Sequence, residues 1–193
     1  MNQNKRIRTV HIIAIDFCGE VAEVYAEFFN EVKTQAKRGK FSDPRNLYLT
    51  LVEIEECPTR QISAIERTID SMSIESFDIT IGGGGGFAGR VPNTFFTFVN
   101  SIPHKDTLYR LSRDLSMNLH AKGLRIRQRA FVPRIILGRR ILWKNTGGHN
   151  FASIKLPYIQ TPVTSIVVIQ AERKWGRWKC SIMYRKALAS SCS

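Results

Sequence analysis

Acidic residues are scarce in this chain. Sixteen Asp and Glu stand against twenty-nine Lys and Arg in 193 residues, a formal net charge of +13 at pH 7, and the pI is near 10.0. Cysteines are few and scattered: Cys18, Cys57, Cys180 and Cys192 form no CxxC pair and have no partnering histidine cluster. That excludes the spacing of a zinc site and gives no sign of a disulfide framework. Long apolar runs are missing as well. The N-terminal stretch from Val10 to Ile15 is interrupted by His11 and closed by Asp16. It is too short for a signal segment or a membrane span and suits a buried strand. Only four histidines occur, His11, His104, His120 and His149, with no spacing that suggests chelation or a shared helix face. These absences point to a soluble, reduced, cytoplasmic protein with no metal and no cofactor.

What is present begins with charge and core. A hydrophobic fraction of 43% suffices for one compact domain or two small lobes. The cationic surplus creates a field that concentrates polyanions. Membrane phosphates would be attracted too, but there is no amphipathic basic helix and no lipidation motif, so nucleic acid is the favoured partner. On charge alone, a solvated basic surface kept for solubility accounts for the excess equally well.

Periodicity gives a coarse order of elements. Ile7 to Ile15 reads as a strand, and Glu20 to Lys37 places Val21, Val24, Phe28 and Val32 on one helical face. A turn at Asp43-Pro44 leads into the alternating segment Leu47 to Val52. Pro58 to Met72 repeats the helical spacing at Ile62, Ile65 and Ile69. Phe77 to Ile81 is a strand running into Gly82–Gly86, and Asn93 to Val99 is the most β-like run. Lys105 to Leu119 carries a stripe of Leu108, Leu111, Leu115 and Leu119, with Gly123 beyond its end. Phe131 to Leu137 is a further strand, and Arg139 to Gln160 is polar and irregular. Val163 to Gln170 and Trp178 to Tyr184 form a closing hairpin. Adjacent strands with interspersed helices make an α+β protein rather than a doubly wound parallel sheet.

Two local features tempt a functional reading. A phosphate-binding loop needs Lys-Ser/Thr and a helix after its last glycine, whereas Phe87-Ala88-Gly89-Arg90 follows here, so a flexible or bulged strand connection fits better. Arg173-Lys174-Trp175-Gly176-Arg177-Trp178-Lys179 interleaves basic residues with aromatics and could stack a nucleobase. A hairpin turn with solvated charges and one buried tryptophan explains the same pattern.

Two segments carry a resemblance. Pro44-Arg45-Asn46-Leu47-Tyr48-Leu49-Thr50-Leu51 resembles a proline-led Asn-Leu-His-Leu-Thr-Leu strand with Tyr48 at the histidine. Arg129-Ala130-Phe131-Val132-Pro133-Arg134-Ile135-Ile136-Leu137-Gly138-Arg139 resembles Arg-Pro-Phe-x-Pro-His-hydrophobic-Thr-Leu-Ala-Arg, with Arg134 at the histidine and Ile136 at the threonine. In this order, and with similar surroundings from the opening strand to the terminal hairpin, they make the chain similar to the 2H phosphoesterases, specifically the RNA 2',3'-cyclic phosphodiesterase or 2'-5' RNA ligase-like family.

The resemblance implies a single bilobal domain over residues 1–193, with two antiparallel sheets, flanking helices and a central cleft. In the family each His-x-Thr lies on one strand, residues i and i+2 sharing a face. One histidine is the general base and the other the general acid, and the threonines hold phosphate oxygens. Here both proton-transfer groups are replaced. Tyrosine titrates near ~10 and arginine above ~12, and arginine does not shuttle a proton. Loss of each group forfeits on the order of 10²–10⁴-fold in rate. Arg134 can still grip a phosphate bidentately and Tyr48 can donate to it or stack on a base. The resemblance therefore implies an impaired phosphoesterase that binds RNA or a nucleotide phosphate in its cleft. Tyr48, Thr50, Arg134, Phe131, Arg129 and Arg45 are its candidate binding residues, and no catalytic residue is intact. An active phosphodiesterase using substitute groups such as Tyr48 with His11, and a scaffold without ligand, stand as alternatives. So does an ordinary strand role for Tyr48 and Arg134.

Overall fold

The structure, a computed structural model, describes residues 8–55, 57–58, 61–87, 93–144, 154–174 and 177–189. The chain runs through β1 (Arg8–Phe17), α1 (Glu20–Gln35), β2 (Ala36–Phe41) and β3 (Leu47–Glu55). It continues with α2 (Ile62–Ser71), β4 (Phe77–Phe87), β5 (Asn93–Ile102) and α3 (Thr107–Ala121). β6 (Arg134–Trp143), β7 (Ile159–Val163), β8 (Ser165–Lys174) and β9 (Arg177–Ala187) follow. The strands form two antiparallel sheets, one ordered β3-β1-β8-β9 and the other β2-β6-β5-β4-β7. This is the expected α+β arrangement of two antiparallel sheets with flanking helices.

The helices form because their apolar residues recur at helical spacing and have a sheet to cover. α1 buries Val21, Tyr25, Phe28, Phe29 and Val32, and α3 buries Leu108, Leu111, Leu115 and Leu119. Each such leucine contributes roughly 1.5–3 kcal/mol by leaving water. α3 ends at Gly123, whose φ of 78° is costly for residues with a Cβ. The Lys186 ammonium from β9 donates to the carbonyls of Ile69 and Met72 at 2.8 and 2.6 Å, taking up acceptors at the end of α2. One apolar cluster runs continuously from Ile13 and Leu49 of the first sheet to Phe95, Ile135 and Leu137 of the second.

At two of the register irregularities in the sheets, a side chain takes the carbonyl left outside the ladder. Between β1 and β3 the register moves from Ile13↔Val52 to Ala14↔Thr50, leaving Leu51 as the extra residue. The Ser112 hydroxyl of α3 donates to the Leu51 carbonyl at 2.7 Å. Between β4 and β5 the extra residue is Gly83, with φ 63°, and the Thr97 hydroxyl donates to its carbonyl at 2.9 Å. The glycine run is therefore part of β4 rather than a connection after it. Close packing explains the composition: a Cβ on Gly82 would lie 2.6 Å from the Tyr158 ring, and one on Gly84 would lie 1.6 Å from Leu156 Cδ1 and 3.0 Å from the Phe96 carbonyl oxygen.

Three readings from sequence change. Ala36 to Phe41 is a strand at one edge of the five-stranded sheet, not the tail of the preceding helix. Ile159–Val163 forms the opposite edge, where Pro162 is tolerated because no further strand needs its missing N–H. The stretch read as irregular from Arg139 begins as ordinary strand, since β6 continues to Trp143. Among the described residues no helix is long and apolar enough to cross a membrane. Cys18, Cys57 and Cys180 are free thiols; Cys192 and His149 lie outside the described residues.

His11 is 2% exposed and faces the helix-covered side of its sheet, between Val10 and Ile12 on the other face. Its ring nitrogens have no hydrogen-bond partner of good geometry among the described residues. Burial lowers its pKa below the ordinary 6.5, opposed to a smaller extent by the Gln170 amide across the strand pair. The unfolded chain thus takes up a proton before the folded one does. Stability is full above about pH 6.5 and declines as pH falls below it. Chemical denaturation of the wild type at about pH 7 and pH 5 is expected to show that decline, and His11→Leu a smaller one; equal pH dependence of the two proteins would contradict it. For the glycine strand, Gly84→Ala is expected to cost about 1–3 kcal/mol in the same assay; an unchanged midpoint would refute the close-packing explanation.

Candidate functional site

The site is built where the two sheets meet, with β3 at the edge of one lying against β6 of the other. Along β3, Leu47, Leu49 and Leu51 are buried in the main core, so Tyr48 and Thr50 emerge on the opposite face, half-buried. Their neighbours on that face are Val10, Ile12 and Ala14 of β1 and Val167, Ile169 and Ala171 of β8, which form a second, smaller apolar cluster touching Tyr48 and Cys180. Along β6 the pattern repeats. Ile135 and Leu137 enter the main core, and Arg134 and Ile136 emerge half-buried on the other face. Alternation thus gives both altered motifs the two-residue, one-face geometry expected of them. The Leu51 bulge lets Leu51 and Val52 both be buried before Glu53 returns to the face of Tyr48.

Each exposed group on these faces has a physical setting. The Arg134 guanidinium lies 5.3 Å from the centroid of the Phe96 ring, which makes an edge contact with Phe98 at 5.1 Å. Stacking on an aromatic face orients the planar fork. The Tyr48 hydroxyl lies beside the Cys180 thiol. Burial, first of all, pushes its pKa up to about 12, with Cys180 and Glu53 adding to the rise and Arg139 opposing it. Burial likewise raises the Cys180 thiol above its ordinary value. Both groups hold their protons at neutral pH. The carboxylates on this face are engaged by cations: Asp16 by Arg185 at 2.7 and 2.9 Å, and Glu53 by Arg127 at 2.6 Å, with Glu55 3.7 Å from the same arginine. Ser165 accepts from Arg185 at 2.7 Å, fixing the first pair beside Tyr48, whose cross-strand partner is Asp16. The arrangement can donate hydrogen bonds and positive charge to an anion. Among the described residues it offers no imidazole, the group whose ordinary pKa suits proton transfer near neutrality.

The remaining candidates are dispersed. Phe131 packs edge-on against Tyr109 of α3, with ring centroids 5.4 Å apart, and leans on the main core. Arg45 sits in the 3-10 turn Pro44–Asn46 and pairs with Asp43 at 2.8 Å, which draws the Asp43 carboxyl below its usual range. Arg129 is exposed on the segment leading into β6. His11, considered as a substitute base, is turned away from this face and does not reach it. Trp178 is 50% exposed, and Trp175 lies outside the described residues. Sequence reasoning missed Phe96, Cys180 and the Asp16–Arg185 pair, whereas Arg139 was already visible as a flank of the second motif. The missed residues reach the site through long-range strand pairing and carried no local signal.

No protein-family profile and no curated protein sequence matches this chain. Solved structures do. LigT of E. coli in its apo form is 18% identical, with a TM-score of 0.72 over 95% of this chain and 98% of that one. TT0787 of Thermus thermophilus is 18% identical with a TM-score of 0.72, over 94% of this chain and 99% of that one. LigT complexed with 3'-AMP is 19% identical with a TM-score of 0.70, over 95% and 99%, and LigT structures with NADP+, phosphate and ATP also match. The two antiparallel sheets and their helices are arranged as in the LigT fold, the fold of the 2H phosphoesterases.

Proposed function

We propose that this protein binds RNA or a nucleotide phosphate at the β3–β6 junction and is impaired as a phosphoesterase, residues 1–193 acting as one bilobal unit in the cytoplasm. The observation that carries this reading is the chemistry of four same-face positions. Tyr48 and Thr50 on β3, with Arg134 on β6, supply two hydroxyls and a guanidinium, while Ile136 supplies only an apolar surface. The ligands held by LigT, among them 3'-AMP and phosphate, support a phosphate as the anion.

Charge and hydrogen bonding dictate how such a ligand would sit. Arg134, oriented by Phe96, meets the phosphate with its fork. The Thr50 and Tyr48 hydroxyls donate to its remaining oxygens. With the Tyr48 phenol near 12 and the Cys180 thiol raised, neither draws a proton from an attacking water at neutral pH. Substrate is therefore held without being efficiently cleaved. The rival reading, a working enzyme with replacement groups, loses the support of His11, which faces the helices.

A short RNA ending in a 2',3'-cyclic phosphate tests both halves. The wild type is expected to bind it in a salt-sensitive manner without turnover. Arg134→Ala is expected to weaken binding roughly 10–100-fold, the loss of a charge-assisted bond worth about 1.5–3 kcal/mol. Clear turnover abolished by Tyr48→Phe would establish the enzyme instead. Binding that Arg134→Ala leaves unchanged would remove the site.

A further inference from the structure

The positive charge of this chain is concentrated on one pair of strands. Segments 36–41 and 134–144, which include β2 and β6, carry seven Lys and Arg and no Asp or Glu, more than half the net excess of +13. One of these, Arg134, belongs to the junction already described. The others, Lys37, Arg38 and Lys40 on β2 with Arg139, Arg140 and Lys144 at and beyond the end of β6, are all exposed. None of them has an ion-pair partner among the described residues.

Two features make this more than a solvated face. Lys40 and Arg139 are direct cross-strand partners, a like-charge pairing that opposes sheet formation. Arg140 has a φ of 56°, the left-handed region that costs a residue with a Cβ energy. Lysines on an exposed edge strand guard it against pairing with other chains, and that role covers β2. It does not cover Arg139 and Arg140, which lie on the strand inside the edge. The strip is also continuous with the junction: β6 starts at Arg134, and the charge of Arg139 is felt at Tyr48.

We infer that the β2–β6 strip is a second, sequence-independent docking surface along which the backbone of a single-stranded RNA continues after its terminal phosphate enters the junction. The inference rests on the reading in the preceding section and extends it from a nucleotide to a polyanion. β6 spans about 33 Å at ~3.3 Å per residue, enough for several consecutive phosphates. Exposed cations contacting successive phosphates add affinity that depends on RNA length and salt but not on sequence.

The test compares 3'-AMP with a single-stranded RNA of about 10 nucleotides, a length within single-strand site sizes, across a salt series. The proteins are wild type and a variant combining Lys37→Gln, Arg38→Gln, Lys40→Gln and Arg140→Asn. Asparagine is used at position 140 because it tolerates the left-handed backbone. The variant is expected to bind 3'-AMP as the wild type does, which also reports that it is folded. It is expected to bind the RNA at least tenfold more weakly, with the slope of log affinity against log salt reduced by up to ~3, at ~0.7 per phosphate contact. Equal RNA affinity in the two proteins overturns the strip while leaving the junction intact. Failure of the wild type to bind either ligand overturns the reading on which the strip rests. Loss of binding to anionic lipid vesicles with RNA binding unchanged would assign the strip to a membrane surface instead.

Discussion

The two-residue period of an extended strand, applied at the junction of two sheets, is the constraint on which the rest of this structure depends. Leu47, Leu49 and Leu51 on β3, with Ile135 and Leu137 on β6, must be buried to join the two sheets through one core. Once they are, the residues between them have no choice of direction. Tyr48, Thr50, Arg134 and Ile136 emerge on the faces away from the helices whatever their chemistry. The fold thus preserves the geometry of a paired-strand site independently of the side chains that occupy it. A slip of one residue in either strand would exchange core and site, and the Ser112 bond to Leu51 helps hold the β3 bulge in place.

What the occupants do follows from solvation and charge. A phenol enclosed by Val10, Ile12 and Ala14 and adjacent to a thiol keeps its proton, so Tyr48 is a hydrogen-bond donor rather than a base. A guanidinium over Phe96 is fixed in direction, which is the geometry the proposed anion receptor at Arg134 requires. Carboxylates that would repel such an anion are neutralised in place, Asp16 by Arg185 and Glu53 by Arg127. The same strand that presents Arg134 runs on to Arg139 and Arg140, joining the proposed phosphate site to an extended cationic surface.

Much of this fold was legible in the sequence, for reasons that also explain what was not. β1, α1, β3 and α3 announce themselves because their buried residues recur at strand or helix spacing. β2 does not, because Lys37-Arg38-Gly39-Lys40 lies on an edge with four exposed residues in a row and follows the helix without a break. β4 is disguised by five glycines, which strands disfavour; the packing of Leu156 and Tyr158 on them is long-range information. The positions of Tyr48 and Arg134 were legible only as departures from two family motifs, whereas Phe96 and Cys180 required the strand pairing itself. Trp178 is exposed because it lies on β9, an edge strand.

The central claim is that an anion sits between Tyr48, Thr50 and Arg134, and the most direct measurement is a crystal structure of the protein with 3'-AMP. The phosphate is expected at the β3–β6 junction, with oxygens within hydrogen-bond distance of the Arg134 guanidinium and the Thr50 hydroxyl. A nucleotide bound elsewhere, with those three side chains making no contact to it, would contradict the account.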